Sequence, residues 1–143
     1  MKGFSLLEII IAIILIAIIT SFAIPKFTNI NYNTNISTLK SQLALIQNGI
    51  VKYKNKNILL SNNEELNILD DVPQNSSGEK LFTKVIDFSI VSTNNTKRES
   101  GMWTKLSNKS YTFYLSRDKN ILFSFEDGIL LCKSSEEFCS EIQ

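Results

Sequence analysis

An apolar run near the amino terminus is the feature that most constrains how this chain can fold. From Phe4 to Ile24, seventeen of 21 residues are apolar, and the exceptions are Ser5, Glu8, Thr20 and Ser21. A helix of this length rises roughly 31 Å, which matches the hydrocarbon thickness of a bilayer. Because its apolar side chains point in every direction, it needs lipid or other apolar helices around it. The run therefore predicts a membrane-inserted segment.

Glu8 is the only ionisable residue in this run. A carboxylate within an apolar segment costs about 2–4 kcal/mol on insertion scales, so it usually has a partner or a function. Two interpretations are open from the residues alone. The carboxylate could stay hydrated near the lipid headgroups, about 9 Å from Lys2 along a helix, or it could pair with a cation of another chain.

The amino terminus fits three kinds of protein. The first is one with a plain transmembrane anchor. The second is a secreted protein cleaved after Ala23, since Ser21-Phe22-Ala23 has small residues in a signal-peptidase-like spacing. The third is a protein whose amino terminus is processed within residues 2–8.

The segment Lys2-Gly3-Phe4-Ser5-Leu6-Leu7-Glu8 resembles the processing site of the type IV pilin and type II secretion pseudopilin family. In that family a dedicated peptidase cuts after the Gly and methylates the new terminal amine. The resemblance therefore implies cleavage between Gly3 and Phe4 and N-methylation of Phe4. It also makes Glu8 the carboxylate that acts in filament assembly.

Two other positions bear on the resemblance. Pro25 lies where many family members have a proline that softens or kinks the helix. Ala17 departs from the family, because many members have a helix-loosening Gly there. The leader, residues 1–3, is also very short. The resemblance is direct over about residues 1–30 only.

The resemblance implies an α+β, pilin-like fold. A long amino-terminal helix, membrane-spanning in its first half and amphipathic in its second, would pack on a small antiparallel β-sheet. Residues 1–3 would be the leader peptide, 4–24 the transmembrane and assembly helix, 25–57 its amphipathic continuation and 58–143 the globular α+β head.

The same resemblance implies the partners and the location. The partners would be copies of this chain or related pilins in a filament, the prepilin peptidase, the inner-membrane assembly platform and membrane lipid. The chain would cross the inner membrane once, with its amino terminus cytoplasmic and its head periplasmic. It would then enter a periplasmic or extracellular filament.

Apolar residues after Pro25 recur at helical spacing and predict an amphipathic helix that ends near residues 55–57. They form a stripe along one face: Tyr32, Ile36, Leu39, Leu43, Ile46, Ile50 and Tyr53. We expect this stripe to pack on the chain's own domain, because the strands that follow need a cover.

The carboxyl half predicts short strands separated by turn residues. The candidates are 81–91, 102–106, 111–115, 121–125 and 129–132. Asp127-Gly128 is the strongest hairpin signal among the turns. An antiparallel meander with one apolar face on the stripe follows. Trp103, Phe113 and Phe123 are interpreted as core aromatics rather than as a ligand cage.

Residues 58–80 predict a loop with at most one short helix. The loop carries four acids, Glu64, Glu65, Asp70 and Asp71. Their spacing matches no hard-cation motif, so we interpret them as solvated loop charge rather than a calcium site.

Cys132 and Cys139 enclose six residues. In a head that faces the periplasm or the outside, these thiols can form a disulfide. The spacing matches neither a redox-active C-x-x-C nor a zinc pattern. Many members of the resembled family carry a carboxyl-terminal disulfide loop, although it is often longer.

Composition excludes several function classes. The chain has no His and a net charge of +1, and it has no Gly-rich phosphate loop or nucleophile motif. The basic run Lys52-Tyr53-Lys54-Asn55-Lys56 fits solvated charge at a helix end better than DNA contact. We therefore predict no catalytic residue, no metal site, no cofactor and no nucleic-acid partner.

The sequence thus favours a pilin-like structural subunit of a type IV pilus or type II secretion pseudopilus. The alternatives are a membrane-anchored periplasmic binding module that never polymerises, and a small secreted domain cleaved after Ala23.

Overall fold

A single long helix, α1, spans Leu6–Leu59 and contributes to two compact units of the chain. The computed structural model describes residues 5–62 and 64–142, without the side chains of residues 23–30. The first unit ends at Thr34 and the second begins at Asn35. We call residues 5–34 the N-terminal unit and residues 35–142 the head. The backbone of Pro25 is helical. Its side chain is not among the described ones, so the predicted kink at Pro25 stays a prediction.

From Ile36 to Tyr53 the apolar stripe of α1 packs on the head, as predicted, whereas its first residue, Tyr32, belongs to the N-terminal unit. Ile36, Leu39, Ile46 and Ile50 are buried, whereas Leu43 and Tyr53 are half-buried. The helix ends at Leu59, slightly beyond the predicted end. Residues 60–62 and 64–79 contain no helix, which agrees with the predicted loop.

Gly49 lets α1 approach the segment that precedes the sheet. A Cβ atom at this position would collide with the carbonyl group of Val85. Glycine lowers intrinsic helix stability by about 1 kcal/mol relative to alanine. The close approach explains why the helix nevertheless carries it at a buried position.

The first two strands, β1 (Lys80–Leu81) and β2 (Ile90–Val91), form a small antiparallel pair. The prediction of one strand over 81–91 is therefore wrong. Phe82 has a φ of 61°, which ends the extended conformation directly after Leu81. The Phe82 carbonyl then accepts hydrogen bonds from the amides of Val85 and Ile86, so the chain turns.

The other four strands form an antiparallel meander in the order β3-β4-β5-β6. They are β3 (Trp103–Lys105), β4 (Ser110–Tyr114), β5 (Asn120–Glu126) and β6 (Ile129–Cys132). Each matches a predicted strand within about one residue. Burial alternates along β5, with Ile121, Phe123 and Phe125 buried, as expected for a sheet with one face on the core. The fold is therefore α+β, with an amino-terminal helix and a four-stranded antiparallel sheet.

The predicted core aromatics lie against one another on the buried face of the meander. The Trp103 ring centroid lies 5.2 Å from that of Phe113 and 5.1 Å from that of Phe123. The Trp103 indole N–H donates to Oε1 of Gln42 on α1 at 2.7 Å. This bond joins the sheet to the stripe helix and satisfies the indole's polar atom.

A short second helix, α2 (Glu136–Glu141), follows β6 and has no counterpart among the predicted elements. It begins after Ser135, and its first turn carries Glu136 and Glu137. Acidic residues favour the start of a helix, so the sequence does contain this signal.

Candidate functional site

The N-terminal unit exposes a continuous apolar surface. Every described side chain from Ser5 to Phe22 is exposed, including Leu6 and Phe22 at 76% each. We call the side chains of residues 6–22 the apolar surface. Folded monomers rarely expose contiguous apolar patches this long, and such patches mark contact with another protein or with lipid.

Among the residues whose side chains are described, no helical stretch is both long enough and apolar enough to cross a bilayer.

Glu8 is the only charged residue on the apolar surface. Its Oε2 atom accepts a hydrogen bond from the Ser5 amide at 3.3 Å, and its own amide donates to the Ser5 carbonyl. Ser5 thus precedes the helix and Glu8 occupies its third position, which is half of a capping box. The Ser5-x-x-Glu8 spacing is the sequence signal that could have predicted this cap.

The hydroxyl of Thr20 is satisfied within its own helix. It donates to the carbonyl oxygens of Ile16 and Ala17 at 2.9 and 3.0 Å. A Thr side chain bonded in this way presents its methyl group outward and adds little polarity. Glu8 is therefore the main polar feature of the described apolar surface.

The predicted processing residues, Gly3 and Phe4, lie outside the described residues. The structure describes the chain from Ser5 onward at this end, so it contains Glu8 but not the predicted cleavage and methylation site.

The two cysteines of the head are paired. Cys132 at the end of β6 and Cys139 in α2 form a disulfide with a Cα–Cα distance of 5.8 Å. The Ser134 hydroxyl, within the loop, accepts a hydrogen bond from the Leu122 amide of β5 at 2.8 Å. The disulfide and this bond hold α2 against the end of the meander. The pairing agrees with the sequence prediction for Cys132 and Cys139.

Asp70 departs most clearly from the prediction of solvated loop charge. It is fully buried and pairs with Lys105, whose side chain is 3% exposed, at 2.8 Å. Its other oxygen accepts from the Tyr111 hydroxyl at 3.0 Å and the Phe82 amide at 3.1 Å. The Val72 amide also donates to Asp70, so the buried carboxylate has a full set of partners.

The buried network also perturbs Tyr111. Burial and the neighbouring Asp70 carboxylate raise the pKa of the Tyr111 phenol well above its usual value. The phenol therefore stays neutral and donates to Asp70. Since Asp70, Lys105 and Tyr111 are closed off from solvent and bonded to one another, the network is suited to holding the 70–86 segment rather than to chemistry on a substrate.

Of the remaining loop acids, Asp71 pairs with Lys84 at 2.9 Å, and the other two line an open groove of about 910 Å³ at the carboxyl end of α1. Glu64 and Glu65 lie in it together with Lys54, Lys109 and Asp127. Within residues 5–62 and 64–142, no three His, Cys, Asp or Glu side chains are placed to hold a metal ion. The mixed charges do not point to one ligand class.

The basic run at the end of α1 does not form one patch. Lys54 donates to the carbonyl of Asp127 at 3.1 Å, and Lys52 lies 3.5 Å from the carboxylate of Asp87. The Lys52–Asp87 ion pair is exposed and screened by salt, so it contributes little stability. Lys52 and Lys56 share one face of the helix.

No family model, no curated protein and no solved structure matches this chain. The likeness of its first residues to a prepilin processing site therefore depends on those residues alone.

Proposed function

We propose that the chain is a pilin-like structural subunit, cleaved by a prepilin peptidase between Gly3 and Phe4. It then assembles into a type IV pilus or type II secretion pseudopilus filament. The observation that carries the proposal is the exposed apolar surface with a single acid, Glu8, in its first helical turn. In sequence the apolar run extends past this surface at both ends, from Phe4 to Ile24.

The apolar surface needs a partner that removes it from water. Burying apolar area gains about 25 cal/mol per Å², and the large apolar side chains of this surface are 46–76% exposed. Before assembly, the inner membrane would cover this surface. In the filament, the helices of neighbouring copies would replace much of the lipid. An apolar surface on every side of a helix suits both environments.

Cleavage would supply a cationic partner for Glu8. An α-amine has a pKa near 8, so the new terminus of Phe4 is mostly protonated at pH 7. A second helix displaced along the first can bring this amine beside Glu8. An apolar medium penalises either group alone, so the pair would select one stagger between copies.

The capping bond of Glu8 is compatible with this role. The Ser5 amide occupies one carboxylate oxygen, Oε2, at a long 3.3 Å. A carboxylate can accept several hydrogen bonds, so Oε1 remains available for an amine of another copy. The cap also holds the carboxylate in place within the first turn of the helix.

The first experiment is mass spectrometry of the mature chain. A methylated Phe4 start supports the proposal. A Met1 start would favour the anchored binding module, and an Ile24 start would favour the secreted domain. Gly3→Leu should block trimming, because a small flexible residue is needed in the peptidase cleft.

The second experiment separates charge from size at Glu8. We expect Glu8→Ala and Glu8→Gln to be trimmed normally but to enter filaments at least about tenfold less, the equivalent of about 1.4 kcal/mol. Glu65→Ala, an exposed acid of the head, is the matched control and should incorporate normally. Normal incorporation of Glu8→Gln would reject the charge pairing.

A further inference from the structure

The outer face of α1 carries an apolar depression bordered by lysines. The depression has a volume of about 590 Å³ and includes Val51, Lys52, Lys56, Leu59 and Leu60. Val51 is 47% exposed, Leu59 84% and Leu60 63%. We call these five residues the lysine face.

The lysine face points away from the core of the head. Residues two apart on a helix point in nearly opposite directions, at about 200°. Ile50 is fully buried, so Lys52 points outward. Lys52 forms an exposed ion pair with Asp87 at 3.5 Å, a weak contact that leaves it available to another carboxylate.

Helix α2 has complementary chemistry. Glu136 and Glu137 are exposed in its first turn, and its last turn contains no basic residue. Phe138 lies beside them and is half-buried. An acidic helix with one apolar side chain fits an apolar depression with lysines at its border, and opposite charges also orient the approach.

The lysine face and α2 lie toward opposite ends of the head. Lys54 contacts Asp127, whereas Gln47 accepts from the Leu130 amide at 3.2 Å, so β6 runs antiparallel to α1. The disulfide to Cys132 keeps α2 at the far end of β6, away from Leu59.

We propose that α2 of one copy docks on the lysine face of a second copy. The partner is a second copy because the two surfaces are complementary in charge and lie toward opposite ends of one head. Such a contact joins two different surfaces, so it repeats along an open assembly instead of closing a dimer. This inference rests on the proposed filament function and names a head-to-head contact within it.

The test uses the full chain in cells that assemble filaments. Lys52→Glu with Lys56→Glu should lower incorporation at least about fivefold, and adding Glu136→Lys with Glu137→Lys should restore it. Lys80→Glu with Lys97→Glu, two exposed lysines elsewhere on the head, is the matched control and should have no effect. Lys52→Gln with Lys56→Gln, which removes charge without reversing it, should give a smaller loss. Thermal melts check that each variant is folded.

A direct readout is carbodiimide coupling of wild-type filaments, which joins touching amines and carboxylates. We expect an intermolecular link from Lys52 or Lys56 to Glu136 or Glu137. Links from these lysines to another protein, or no link at all, would overturn the inference.

Filament yields separate the two proposals. If wild-type filaments form and the lysine reversal has no effect, only the docking inference fails. If the wild-type chain never enters filaments, the proposed function fails and the inference with it.

Discussion

Apolar side chains are exposed in the N-terminal unit and buried in the head, although one helix contributes to both units. Ile13 is 61% exposed in the N-terminal unit, whereas Ile46 is fully buried in the head. Both are isoleucines within α1. The head supplies a sheet to cover its stretch of helix, and the described N-terminal unit has no other element. We therefore expect other molecules to cover the apolar surface of this unit.

Acidic groups show the same contrast. Asp70 in the head is bonded to Lys105, Tyr111 and two backbone amides, and it is fully buried. Glu8 in the N-terminal unit is exposed, and a backbone amide contacts it at 3.3 Å. The buried carboxylate of the head has all its partners within the head. We expect Glu8 to gain a charged partner only when copies assemble.

The largest effect should come from breaking the head's network. Asp70→Ala leaves Lys105 buried without its partner, and breaking a buried pair in this way costs about 3–5 kcal/mol. Urea unfolding of the full chain in detergent, followed through Trp103, measures this loss. Asp71→Ala is the control, because Asp71 is exposed and pairs with Lys84 at 2.9 Å, and it should cost less than about 1 kcal/mol. Equal effects of the two substitutions would contradict the role of Asp70.

A smaller effect, and a sharper comparison, comes from the same substitution in both units. Ile46→Ala should destabilise the head by about 2–5 kcal/mol, because it leaves a cavity beneath the sheet. Ile13→Ala should change head unfolding by no more than about 0.5 kcal/mol, because its side chain is exposed. Parallel urea unfolding curves measure both. A similar loss of stability in the two variants would mean that Ile13 stabilises the head as much as Ile46 does, which would contradict the contrast between the two units.

The smallest effect concerns the pH dependence of the head. The pKa of Tyr111 is raised from its usual 10.0, so folding favours the neutral phenol. The stability that this gives is present below pH 10.0 and is lost as pH rises above it, because the unfolded chain ionises first. Tyr111→Phe should lower the free energy of unfolding by about 1.5–3 kcal/mol at pH 8, because it removes a hydrogen bond to the Asp70 carboxylate. Above pH 10 the stability of this variant should fall less steeply than that of the wild type. Thermal melts between pH 8 and 11 measure both slopes. Tyr53→Phe is the half-buried control, and a wild-type slope no steeper than that of Tyr111→Phe would refute the prediction.

Much of the fold could be predicted because it depends on local periodicity. The stripe from Ile36 to Tyr53 follows helical spacing, and β3 to β6 follow alternation bounded by turn residues. These signals lie within a few neighbouring residues. The cysteine pair was also predictable, because the two residues lie close in sequence and the expected periplasmic or outside location of the head would favour oxidation.

Two of the errors concern residues whose environment comes from distant parts of the chain. Asp70 has the sequence context of a loop acid, but Lys105 and Tyr111 reach it from strands far along the sequence. Phe82 has the context of a strand residue, but its amide donates to Asp70 and its φ is 61°. One tertiary network therefore accounts for both errors.

Spacing along the chain is enough to predict the apolar run, the position of Glu8 within it, the stripe of α1 and the order of the four main strands. Three features emerge only when the chain is folded: which charges are buried, where β1 and β2 break, and the placement of the lysine face and α2 toward opposite ends of the head. Burial and charge pairing depend on which segments contact one another in the folded chain, and local spacing carries no information about those tertiary contacts.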